Sequence, residues 1–156
     1  MKSTIFFVAV FGMSVLASCS SSTSNNTPAA PSNGATINGT VWTPDVPTTA
    51  AYFSAGGITQ VGEFDSKSQM LQLVLPGAPK TGTYTVGGST SSAFTGQFVK
   101  GSTLTQYIIT SGSVNVTAAS STHITGTFNF HATSVQSLTD SVVVTNGGFD
   151  ANVITN

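Results

Sequence analysis

The stretch HITGTFNFHA, residues 123–132, sorts its side chains into two sets by position alone. Ile124, Phe128, Phe130 and Ala132 fall on one side with Gly126 among them, while His123, Thr125, Thr127, Asn129 and His131 fall on the other. Successive side chains of an extended chain point to opposite faces, so this alternation specifies a strand with one dry and one wet face. A helix cannot produce it, because helical faces recur every 3.6 residues. SVNVTA (113–118) repeats the pattern with Val114, Val116 and Ala118 inward, and MLQLVL (70–75) sets Leu71, Leu73 and Leu75 on one face.

From Gly34 onward Thr, Ser, Val and Gly dominate, and no segment sustains a helical period. Further strands are predicted at 36–42, 50–54, 58–64, 82–86, 93–99, 103–110 and 141–145, with a last one around 149–154. Turn chemistry separates them at Pro76-Gly77, Gly87-Gly88, Lys100-Gly101, Ser111-Gly112 and Gly147-Gly148. Short antiparallel strands at this spacing make an all-β domain over 34–156, a sandwich or a barrel of about 8–10 strands. The pattern does not choose between the two.

The chain ahead of this domain has a different texture. Lys2 supplies a positive start, Ile5 to Leu16 form a mostly apolar run, and Ala17 and Ser18 are small. That is the layout of a secretory signal, and the run is short of the about 20 apolar residues that a membrane-spanning helix needs. Leu16-Ala17-Ser18-Cys19 resembles a bacterial lipobox, which implies cleavage after residue 18 and acylation of Cys19, palmitate-like chains included. Cys19 is the only cysteine, so lipidation accounts for it and leaves no disulfide. Ser20 follows it, where lipoproteins like those of enteric bacteria would carry an aspartate for inner-membrane retention. The expected address is therefore the outer membrane, on its periplasmic or cell-surface face, with the membrane as the partner of Cys19. Residues 19–33 are rich in Ser, Asn and Pro and lack charge and large apolar groups, so they are expected to form a flexible tether spanning about 20 Å.

After residue 18 the chain carries Lys67, Lys80 and Lys100 against five carboxylates, and it has no arginine. Proteins that track phosphate backbones cluster Lys and Arg, so nucleic acid is excluded as a partner.

Four fragments taken in order carry a family resemblance: ATINGTVW (35–42), LVLPGAPKTGTYTV (73–86), SGSVNVTAASSTHITGTFNF (111–130) and VTNGGFD (144–150). The order N-G-x-x-W, G-T-Y, I-x-G-T-F-x-F, T-N-G-x-F resembles small Bacteroidetes-type lipoproteins that contain a domain of unknown function. The resemblance implies an extracytoplasmic β domain on a lipid anchor and brings no catalytic or ligand residues with it.

Catalytic chemistry is sparse. No serine lies in a G-x-S-x-G elbow. His123 and His131 sit on one strand face about 26 Å apart, too far to share a metal or a proton. Glu63 and Asp65 share a strand face, and Asp140 and Asp150 flank the final strands, but none has calcium-loop spacing. These carboxylates are read as keeping a low-charge surface soluble. No catalytic, cofactor or metal site is assigned, and the chain is read as a binding or structural accessory rather than an enzyme. A glycan-binding module is the alternative, with Trp42, Tyr52, Tyr84 and Tyr107 as stacking surfaces, although burial of Trp42 at a core edge is the commoner outcome for an aromatic. A hydrolytic enzyme ranks behind both. Asp140-Ser141-Val142 matches the D-S/T-apolar pattern of Bacteroidetes-type O-glycan acceptors, which marks Ser141.

Overall fold

The computed structural model describes residues 32–89 and 91–156, in which every regular element is a strand. The signal peptide, Cys19 and the tether as far as residue 31 lie outside the described residues. The strands are β1 (Gly34–Ile37), β2 (Thr40–Trp42), β3 (Val46–Phe53), β4 (Ile58–Phe64), β5 (Met70–Pro76), β6 (Gly82–Thr85), β7 (Thr95–Lys100), β8 (Thr105–Ala119), β9 (His123–Ser134) and β10 (Ser141–Thr155).

The pairing closes on itself. Around the ring run β3, β4, β5, β7, β8, β9 and β10, each hydrogen-bonded to the next, and β10 returns to β3. Every pairing between named strands is antiparallel except this closure, where Asn152–Thr155 run parallel to Thr49–Tyr52. The sandwich-or-barrel question is thus resolved by connectivity as a closed, seven-stranded ring, which leaves few free edges. The β1–β2 hairpin lies against the first half of β10, with Ile37 opposite Val144, and β6 lies against the middle of β8.

The predicted alternation holds in the centre of the ring. Leu71, Leu73 and Leu75 on β5 and Ile124, Phe128, Phe130 and Ala132 on β9 are all buried. Phe128 stacks between Phe130 and Phe149, at centroid distances of 6.0 and 6.4 Å. Each fully buried phenyl ring contributes roughly 2–3 kcal/mol. On the outer face Gln60, Gln72, Gln97 and Gln106 join side chain to side chain across β4, β5, β7 and β8, a polar ladder that ties four strands together.

Three turn assignments are corrected. The predicted strand 36–42 is broken by Asn38-Gly39, whose φ values of 47° and 80° make the two-residue turn favoured in twisted hairpins. Ser111-Gly112 and Gly147-Gly148 are not turns at all; each lies inside a continuous 15-residue strand, at a register shift. The reason at Gly147 is proximity: a Cβ there would lie 2.2 Å from the Phe128 ring. A second register shift on β8, between Val116 and Ala118, turns Ala118 outward, against the inward expectation.

Register pairs trace one end of the barrel: Val46 opposite Phe64, Phe64 opposite Met70, Met70 opposite Val99, Lys100 opposite Thr105, Tyr107 opposite Ser134, and Ser141 opposite Thr133. The Asn38-Gly39 turn joins this end through Ile37 and Val144. The opposite end holds the β3–β4 turn and the Pro76–Lys80 connection.

Candidate functional site

The end marked by the Asn38-Gly39 turn is concave. A cleft of about 410 Å³ opens there, walled by Trp42, Phe98, Tyr107 and Val142, with Asp65, Lys67, Lys100 and Asp140 at its margin. A wider depression of about 670 Å³ at the other end is lined by Pro76, Pro79, Lys80 and Tyr84 and brings together fewer polar groups.

The carboxylates in and beside the first cleft are held by hydrogen bonds. Asp65 closes the β4–β5 connection by accepting backbone N–H bonds from Lys67 and Gln69 at Oδ1, 2.9 and 2.8 Å away. Its Oδ2 accepts the indole N–H of Trp42 at 2.9 Å, which stitches the end of β2 to the end of β4. Asp45 accepts both the backbone N–H and the hydroxyl of Ser66, at 2.6 and 2.5 Å, and these bonds hold its carboxyl below the usual carboxylate range. Across the cleft, the Tyr107 hydroxyl donates to Asp140 Oδ2 at 2.8 Å. Burial, then this carboxylate neighbour, pushes the Tyr107 phenol up.

The lysines are situated differently. The one ion pair among the described residues is His123 with Asp150, 2.9 Å apart on the outer face, so neither Lys67 nor Lys100 has a carboxylate partner there. The cleft margin thus sets Asp65 and Asp140, each fixed by an internal donor, beside two ammonium groups with no carboxylate within ion-pair distance, although Lys67 is near enough to Asp45 to help hold that carboxyl low. A ligand there meets both signs of charge at the margin and apolar walls behind them.

Glu63, two residues before Asp65, corrects the reading of these acids as surface groups. It is fully buried on the inward face of β4, between Val61 and the cleft-end loops. Its Oε1 accepts the Gly34 N–H at 3.0 Å, while Oε2 is buried without a partner. Burial pushes its carboxyl up to about 7, against the smaller opposing effect of the Gly34 bond. The alternation in ITQVGEF already places Glu63 on the face of Val61, the one sequence signal that marks it as inward.

The four aromatic stacking candidates are dispersed. Trp42 and Tyr107 line the cleft, but both are largely buried. Tyr84 is buried near the opposite end, with its hydroxyl bonded to the Lys80 carbonyl at 3.0 Å, and Tyr52 is half-buried on β3. Three of the four therefore close the core, and no common platform forms among them. His123 and His131 both lie on the outer side of β9, and His123 Nδ1 also lies 3.4 Å from Asn152 Oδ1. Among the described residues no group of three or more His, Cys, Asp or Glu side chains has metal-binding geometry. Ser141 is exposed at the first position of β10, beside Asp140.

Sequence reasoning missed Lys67 and Lys100 because they come to the same cleft only through the pairing of β5 with β7. Thirty-three residues separate them, and no local pattern links the β4–β5 and β7–β8 turns.

Neither a curated protein nor a solved structure shows significant similarity to the chain. One family does match, over residues 29–151, a range that takes in all of β1 to β9 and most of β10. The chain belongs to the family DUF6252, a domain of unknown function.

Proposed function

We propose that this protein is a lipid-anchored outer-membrane accessory that binds an anionic group in the cleft at one end of its barrel. The observation that carries the binding half is that Lys67 and Lys100 stand at the cleft margin with no carboxylate within ion-pair distance, while Asp65 and Asp140 are held by internal donors. The anchoring half is supported by Leu16-Ala17-Ser18-Cys19 at the end of an apolar run. Several acyl chains, at about 0.8 kcal/mol per buried CH₂, anchor a protein stably at a membrane. The absence of a nucleophile–base–orienter set in the sequence supports a binding role over a hydrolytic one.

Each half has its own test. In the native host, Cys19→Ala removes fatty-acid labelling and releases the protein from the membrane fraction; unchanged labelling and retention refute the anchor. For the cleft, Trp42 is the chain's only tryptophan and forms its wall, so its emission reports occupancy. Glycerol phosphate and inorganic phosphate are expected to shift that emission, and Lys100→Gln to abolish the shift. Emission indifferent to both phosphates overturns the cleft reading.

A further inference from the structure

The ring of strands is complete without β1 and β2. Closure runs from β10 directly to β3, while β1 pairs with the first half of β10 and β2 pairs with β1 alone. The two strands have four and three residues, so few ladder bonds hold the hairpin, and a unit attached in this way opens locally more readily than the whole domain unfolds. The hairpin nonetheless closes part of the core, since Ala35 and Trp42 are buried. It is also a wall of the cleft, which it lines with Ile37, Asn38, Thr40, Val41 and Trp42.

Two bonds fasten the hairpin across the end of β4. Gly34 N–H donates to Glu63 Oε1 at 3.0 Å, and Trp42 Nε1–H donates to Asp65 Oδ2 at 2.9 Å. At the first of these, Glu63 Oε2 is buried without a partner, and so is Thr48 Oγ1. The β3–β4 register shifts between Val46, opposite Phe64, and Thr49, opposite Gly62, so Thr48 shares the position facing Glu63. Two orphaned oxygens thus lie together where water would satisfy both. Gly34 on β1, Thr48 on β3 and Leu71, the partner of Glu63 on β5, are all uncharged. Burial, against the smaller effect of the Gly34 bond, pushes the Glu63 carboxyl up to about 7, and none of the charged groups of the cleft margin, Asp65, Lys67, Lys100 and Asp140, acts on it. An ionised Glu63 is the better acceptor for Gly34, but its need for water outweighs that bond.

We propose that the β1–β2 hairpin is a lid latched by Glu63: a neutral Glu63 keeps it closed, and an ionised Glu63 releases it, so that the cleft loses one wall as the carboxylate takes on water. The ring stays closed when the lid opens, because β3 to β5 and β7 to β10 pair without it. The consequence for a ligand rests on the cleft reading above, whereas the lid itself does not.

The test is amide hydrogen exchange on the chain from Ser20 onward, which contains all ten strands and the whole core. Peptic fragments covering the hairpin are compared with fragments from β5 and β9, each rate being divided by its intrinsic value at that pH. The hairpin is expected to exchange faster than β5 and β9 at every pH. Its opening constant should rise about 70-fold between about pH 5 and pH 8, for a carboxyl at about 7 when closed and at the ordinary 4.5 when open. Glu63→Gln should hold that constant level. His123 pairs with Asp150, whose N–H binds Asn33 Oδ1 at the start of the hairpin, and its influence is common to both chains. Because Glu63→Gln alters the latch itself, a second chain joins Thr36→Cys to Thr145→Cys, opposed in the β1–β10 register of a chain that otherwise has no cysteine. The disulfide should bring hairpin exchange down to the rate of β5 and β9, and its reduction should restore the difference. Hairpin exchange in step with β5 and β9 before locking overturns the inference, since the barrel then opens only as a whole. A pH rise that survives in Glu63→Gln overturns it too, as does hairpin exchange indifferent to the disulfide. No ligand enters this experiment, so a missing phosphate response in Trp42 emission removes the cleft reading and leaves the lid standing.

Discussion

Glu63 should make this barrel less stable as the solution becomes more alkaline, through a single proton. Its carboxyl is fully buried, with one oxygen on the Gly34 N–H and the other on nothing. Charging it there means losing water around Oε2 with no donor in exchange, and its pKa accordingly rises from the ordinary 4.5 to about 7. The folded protein thus holds this proton more tightly than the unfolded chain does. The contribution of Glu63 is fully present below pH 4.5, declines by about 1.4 kcal/mol per pH unit above that, and levels off once the pH has passed about 7. The whole loss amounts to about 3 kcal/mol, a large share of the roughly 5–15 kcal/mol of a typical domain. Urea titrations between about pH 5 and 8 measure it, and with a slope near 1.5–2 kcal/mol per molar the native midpoint should fall by about 1–2 M across that range. Glu63→Gln keeps an acceptor for Gly34 but discards the titration, so its midpoint should be nearly flat with pH and should gain on the native chain toward the alkaline end. Both histidines are common to the two proteins, so the difference between the profiles isolates Glu63. A native midpoint that does not move, or a Gln variant that keeps the full slope, refutes the reasoning.

Gly147→Ala places a methyl group 2.2 Å from the Phe128 ring, and the forced shift of ring or strand should cost about 2–3 kcal/mol in urea unfolding; a neutral outcome would mean that the β10 register can slip. Trp42→Phe keeps an aromatic ring but loses part of the buried volume and the donor to Asp65 Oδ2, with an expected cost of about 2–3 kcal/mol read by circular dichroism. Tyr107→Phe frees Asp140, whose surroundings are exposed, so stability should drop by about 1 kcal/mol or less, while glycerol phosphate should bind the cleft more weakly next to the released carboxylate.

What was legible in this sequence was whatever a period of two can carry. The inward sets of β5 and β9 follow from alternation, because a strand that misplaced one residue would expose its whole apolar face. Glycine was ambiguous for a physical reason. At Gly39 it marks a turn through its positive φ, whereas at Gly147 it marks a ring packed where a Cβ would stand, and both contexts read locally as Asn-Gly. Only the identity of the strand lying across it distinguishes the two. The cleft was hidden at a higher level still. Asp65 and Trp42 are 23 residues apart and meet because the ring closes through a parallel pairing of β10 with β3, while Tyr107 and Asp140, 33 apart, meet through the β8–β9 pairing that sets Tyr107 opposite Ser134. The charge count was equally uninformative on its own. Three lysines against five carboxylates predict a mildly acidic surface, yet one carboxylate is inside the barrel and three others are tied to donors at the cleft end. A hydrogen bond from a neutral donor does not remove a carboxylate's charge, so this end stays acidic by count, with Lys67 and Lys100 against Asp45, Asp65 and Asp140. What folding changes is that internal donors fix the carboxylates in place, whereas the two ammonium groups have no carboxylate within ion-pair distance.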